Sequence, residues 1–166
     1  MTFSRLIKHL LTTNFQVKKH FTEQCLHSIT SAIREGEVTH MGEIRFAIET
    51  ALEPGQILRG ITPQKRAIEV FSELRVWDTE YNSGVLIYVL FADRAVEIIA
   101  DRGIHAKTVD RKVWSAITRV MQEAFAAGQF ETGAMSGVAA VTAELTRHFP
   151  VSGENPDELA NDVDMI

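Results

Sequence analysis

Three short stretches of the 166-residue chain gather oxygen-bearing side chains. The first holds Glu35, Glu37, His40 and Glu43, the second Asp78, Glu80 and Asn82, and the third Asp101, Arg102 and His105. Carboxylates, an amide oxygen and backbone carbonyls are the donors that a hard cation such as Ca²⁺ or Mg²⁺ takes. Asp78, Asn82, Asp101 and Glu43 are the metal-ligand candidates, with His40, Glu80, Arg102 and His105 as further ligand contacts. The competing reading is a set of solvated loops, since acids in loops are mostly exposed. No residue is assigned a catalytic role.

Other chemistries lack their motifs. His40-Met41-Gly42-Glu43 precedes a strand and has no second histidine four residues on, so it is not the helical zinc pattern. Ser83 lies in Asn-Ser-Gly rather than in a nucleophile elbow. No glycine-rich phosphate loop occurs, so neither a nucleotide nor an organic cofactor is implied. Cys25 falls on the apolar face of a helical stretch and reads as a packed thiol. A net charge of −5 argues against a nucleic-acid partner, whose phosphates call for a basic patch. The charge is also uneven: residues 1–20 carry +4 with no acid, and residues 150–166 carry −5.

The elements that must position the acids are legible in the apolar pattern. Val85 to Phe91 is unbroken apolar, Ala92-Asp93-Arg94 interrupts, and Ala95 to Ala100 is apolar again, which predicts a hairpin with a strand buried on both faces. Asp93-Arg94 is assigned to turn chemistry. Glu43 to Ala51 alternates like a half-covered strand, and Thr62-Pro63 opens a helix to about Arg75, so the first strand should run parallel to the Val85 strand. That pairing brings the three acidic stretches to one sheet edge. Trp77 and Tyr81 flank the second stretch, where core anchors are commoner than a stacking surface.

Further helices are expected over the first dozen residues, from Thr22 to about Arg34, from about Val109 to Ala127 and from about Glu131 to His148. The first is short, amphipathic and basic. Packing on the domain or on a partner is preferred for it over a weak peripheral membrane contact through residues 1–20. Gly133 and Gly137 should let the last helix approach a neighbour closely. Ile57 to Ile61 is left as a loop, and residues 150–166 read as an acidic disordered tail. The division is thus 1–34 for the packing helices, 35–149 for an α/β domain and 150–166 for the tail. The fold class is a three-layer α/β/α sandwich with a small mixed sheet of three or four strands. No run approaches the ~18 apolar residues of a membrane span. Lys8 and His9 also break the apolar N-terminus, so the expected location is cytoplasmic.

The run W-D-T-E-Y-N-S-G-V-L-I-Y-V-L-F-A-D-R-A-V-E-I-I-A-D-R-G-I follows E-I-R-F-A-I-E-T and a helix, and precedes a late helix and G-Q-F-E-T-G. Over Glu35 to Phe149 this pattern resembles the TPM domain. The resemblance implies the same sandwich, an acidic cleft that binds Ca²⁺ in some members, and acid phosphatase activity in some. The family's D-N-G falls on Asn82, Ser83 and Gly84, and its G-x-G on Asp101, Arg102 and Gly103, so Asp101 would supply the acid missing at Asn82. The expected function is a binding or scaffold module that holds a divalent cation and assists an unidentified protein partner. The alternative is a metal-dependent phosphatase in which Asp78 and Asp101 hold the cation.

Overall fold

A computed structural model describes residues 2–105 and 110–166, with the side chains of Thr2 and His105 outside the description. In chain order the elements are α1 (Thr2–Leu11), α2 (Asn14–His20), α3 (Glu23–Glu37), β1 (Glu43–Glu49), α4 (Pro54–Leu58), α5 (Pro63–Glu73), β2 (Gly84–Leu90), β3 (Ala95–Ala100), α6 (Arg102–His105), α7 (Arg111–Ala126), α8 (Phe130–His148) and β4 (Asp164–Met165). The sheet order is β3-β2-β1-β4. β1 pairs parallel with β2, from Glu43 opposite Gly84 to Glu49 opposite Leu90. β2 and β3 form the expected antiparallel hairpin.

The alternation in β1 builds the two cores. Ile44, Phe46 and Ile48 join Val85, Ile87 and Val89 under α2, α3, α7 and α8. Ala47, Leu86, Tyr88 and Leu90 join Ile57, Ala67 and Val70 from α4 and α5 on the other face. Each strand of the β1–β2 pair is therefore covered on both sides, which is why β2 carries no polar alternation. Helices on both faces make the α/β/α sandwich expected from the element order.

Local signals account for most helix boundaries. The Thr22 and Thr62 hydroxyls accept from the Cys25 and Lys65 amides and cap α3 and α5. A Cβ on Gly137 would lie 2.2 Å from the Met121 sulfur, so that glycine does let α8 close on α7. Cys25 is buried in the core, and burial pushes its thiol up to about 11, in keeping with a packed residue.

Four expectations need correction. Residues 14–20, left without an element between the first helix and the Thr22 helix, form α2, with Thr13 and Gln16 in a reciprocal capping box. Ile57 and Leu58, the start of the Ile57–Ile61 stretch expected as a loop, belong to the helical turn Pro54–Leu58. Trp77 and Tyr81 are about half exposed and anchor no core. The acidic tail is not disordered: Asp164 and Met165 pair parallel with Ala47 and Ile48, Arg45 Nε and Nη2 donate to the Asp164 carboxylate, and Asn155, Leu159 and Asn161 bond back to the domain. Composition missed this because the tail is ordered by polar pairing, not by apolar periodicity.

Candidate metal centre

The three loops do meet at one sheet edge. Ser83 Oγ donates to the Met41 carbonyl, and the Gly103 amide donates to the Asn82 carbonyl. Only a glycine fits at 103, because a Cβ would lie 2.3 Å from the Tyr81 carbonyl oxygen and 2.5 Å from that of Asn82. The loops and the end of α8 enclose a mostly apolar hollow of about 440 Å³, lined by Met41, Tyr81, Gly103, His148, Phe149 and Pro150 among others.

The acids expected to converge there do not. Asp78 is exposed. The Glu80 amide donates to Glu158 Oε1. Asn82, held at φ 51°, accepts from Arg102 Nε through Oδ1, and Asp101 Oδ1 accepts from the Arg102 amide. Asp101 Oδ2 is buried with no hydrogen-bond partner among the described residues. The side chain of His105 lies outside the described part. His40 is fully buried, and burial lowers its imidazole to about 4, so it is neutral at physiological pH. Its carbonyl accepts from Asn155.

Among the described residues, three acids do come together: Glu37, Glu43 and Asp157 offer oxygens that all lie within 4.8 Å of one another. Of the metal-ligand candidates read from the sequence, Glu43 is the member that belongs to this group. Glu37 arrives from the last turn of α3, Glu43 from the first residue of β1, and Asp157 from the tail. Glu37 and Glu43 are only 8% and 3% exposed, so each carboxylate has left water behind.

The hydrogen bonds around the pair come mainly from neutral donors. Glu37 Oε1 accepts from the Ile44 amide and Oε2 from Asn161 Nδ2, while Glu43 Oε2 accepts from the Leu159 amide. Burial is the main reason both carboxyls titrate high, with neighbouring acids adding to it against these hydrogen bonds: Glu37 rises to about 8 and Glu43 to about 7. Asn161 is 7% exposed, and its Oδ1 is buried with no partner among the described residues. Arg34, Asn155, Asp157 and Asn161 line the adjoining cleft of about 350 Å³.

Sequence reasoning assigned Glu37 to the right stretch but not to the site, and it missed Asp157 and Asn161 altogether. The usable signal was the parity of β1: an acid at its first residue needs a cover, and the tail is rich in Asn and Asp.

A family model described as the TPM domain matches residues 17–144. Among solved structures, the chain is similar to the NMR structure of BA42 protein from the psychrophilic bacterium Bizionia argentinensis, with 31% identity and a TM-score of 0.76. That match covers 87% of this chain and 94% of the other. No curated protein matches.

Proposed function

The chain belongs to the TPM domain family, and on that premise we propose that it is a cation-dependent binding module whose divalent-ion site is Glu37, Glu43 and Asp157. The observation that carries the reading is the buried Glu37–Glu43 pair, which has neighbouring acids and neutral donors but no ion-paired Lys or Arg in the described network. Two carboxylates this close cannot both stay charged without a counter-charge, so they hold a proton or a cation. The donor set fits the group. Three carboxylates and an unpartnered amide oxygen suit Ca²⁺, which accepts six to eight oxygens in adaptable geometry. Mg²⁺ fits less well because it keeps several waters and uses one or two carboxylates.

Asn161 adds a local device. Its two amide ends are alike in size, so a half-turn exchanges the donor to Glu37 for an oxygen facing the acids. The tail segment that carries Asp157 and Asn161 leads directly into β4, which ties ion binding to the order of the C-terminal strand. The half-exposed Tyr81 on the wall of the apolar hollow, with the half-exposed Trp77 four residues before it in the chain, supplies a surface for the partner protein. Phosphate-ester hydrolysis is the second reading. The observation in its favour is Arg34 on the rim of the same cleft, a positive group for a phosphoryl oxygen.

Calorimetric titration with Ca²⁺ tests the main reading. The wild type should bind one ion per site with micromolar-to-millimolar affinity, on the order of sensor and extracellular sites. Glu43→Gln should lose binding, while Asp78→Asn should retain it. Unchanged binding in Glu43→Gln would refute the assignment.

A further inference from the structure

α1 sits on the domain with its polar side inward. Arg5 donates to Asp93 through Nε and Nη2 and to the Ile61 carbonyl through Nη1. His9 meets Asp93 through Nε2 and accepts from the Leu52 amide through Nδ1, and it is 3% exposed. Leu6 packs against the core on the α4–α5 side, whereas the other apolar residues face away: Phe3, Ile7, Leu10 and Leu11 are 73%, 42%, 61% and 69% exposed. At about 100° per residue these four fall in an arc roughly 100° wide, opposite Arg5 and His9. α2 continues the pattern. Val17 is buried, whereas Phe15 is 80% exposed and shares the outward side with Lys18 and Lys19.

The domain's own polar contacts hold α1 in this orientation, so the outward face awaits something other than the domain core. Its charge says what. Residues 1–20 contain Arg5, Lys8, Lys18 and Lys19 and no acid. Asp93 neutralises Arg5 and lies 4.0 Å from the half-exposed Lys8 Nζ, while Lys18 and Lys19 are exposed. A second copy on a two-fold axis would set these lysines against themselves. An anionic bilayer accepts both parts, the apolar arc among its acyl chains and the lysines among its headgroups. We propose that α1 and α2 form an in-plane docking surface for an anionic membrane. Among the described residues no helix is long and apolar enough to cross a bilayer, so attachment is at the interface.

The placement suits the rest of the charge. Asp93 lies in the β2–β3 turn, whereas Glu37, Glu43 and Asp157 lie at the opposite end of the strands. Docking through α1 therefore turns the acidic end away from a negative surface.

Co-sedimentation of the full chain with vesicles tests this. The protein should bind phosphatidylcholine vesicles containing phosphatidylglycerol, bind phosphatidylcholine alone far more weakly, and detach at high salt. Lys18→Glu/Lys19→Glu should weaken binding by about 10-fold or more, since each lysine near the surface contributes about 1 kcal/mol. Leu10→Glu/Leu11→Glu should abolish binding with the far-ultraviolet circular dichroism unchanged, both side chains being outside the core. Absence of binding to the anionic vesicles would overturn the proposal. So would self-association in sedimentation velocity that Leu10→Glu/Leu11→Glu removes, if no vesicle binding accompanies it, because the face would then belong to a second copy.

Discussion

Both ends of β1 carry a buried glutamate on the same face of the strand. Glu49 is 6% exposed and Glu43 3% exposed. At Glu49 the charge is answered: Arg66 donates to both carboxylate oxygens through Nε, and the Tyr88 hydroxyl donates to Oε2. Arg66 is itself held by Glu69 and Glu73. Burial works against that guanidinium, yet the hydrogen bonds it donates to Glu73, Glu49 and Glu69 raise its pKa. At Glu43 the neighbours are Glu37 and Asp157, and the donors are neutral: the Leu159 amide donates to Glu43 and the Asn161 side-chain amide to Glu37. A buried carboxylate met by a guanidinium holds the fold together. One met by two more carboxylates needs a proton or a cation, and that difference separates the charge-balanced end of the sheet from the end at which the ion site is proposed.

The largest effect should come from breaking the balanced end. Arg66→Ala leaves Glu49 buried and unpaired and should destabilise the chain by about 3–5 kcal/mol in denaturant titration. Glu49→Leu/Arg66→Met, which removes both charges, should cost far less. Equal losses in the two variants would mean that packing, not charge pairing, governs this end.

Next in size is the pH dependence of the acidic end. Glu37 and Glu43 have folded values near 8 and 7 against an ordinary value of 4.5, so the folded chain binds protons that the unfolded chain has released. Stability from these groups is complete below about pH 4.5 and is lost as pH rises towards 8. The melting temperature without calcium should therefore fall across that window, and Glu37→Gln should flatten the slope. Added Ca²⁺ should restore stability at the alkaline side, where the carboxylates are free to bind it. A melting temperature that rises with pH over this range would contradict the account.

The smallest effect should be at the tail. Asp164→Ala removes a partly exposed bidentate pair with Arg45 and should cost about 1 kcal/mol. Its sharper readout is hydrogen exchange at residues 155–166. Faster exchange there, accompanied by weaker Ca²⁺ binding, would tie the strand to the site. Faster exchange with unchanged binding would separate them.

The parts legible in the sequence are those written in apolar periodicity and backbone-specific residues. The unbroken Val85–Phe91 run announced a central strand, Thr62-Pro63 a helix start, and the strand–helix–strand order a parallel pair. The meeting of the three loops at the Glu43 end of the sheet was also legible. Which acids meet was not legible, because convergence depends on the tail, whose Asn155, Asp157 and Asn161 have no period and whose composition mimics disorder. The buried Arg66 escaped for a related reason: an arginine on a helix face reads as solvated until the strand beneath it is seen to present Glu49. α1 shows the opposite failure. Its amphipathic pattern is plain, but the pattern does not say which side faces inward, and the Asp93 contact decides that against the usual expectation.

In the proposed site, Glu37 and Glu43 share protons that a divalent cation displaces. Calorimetry of Ca²⁺ binding at pH 7 in buffers of different ionisation enthalpy measures this most directly, because the heat difference counts protons released. Net proton release is expected in the wild type, reduced in Glu37→Gln and matched by weaker affinity as pH falls below 7. Calcium binding with no proton release and equal affinity at pH 6 and pH 8, or no binding at millimolar Ca²⁺, would contradict it.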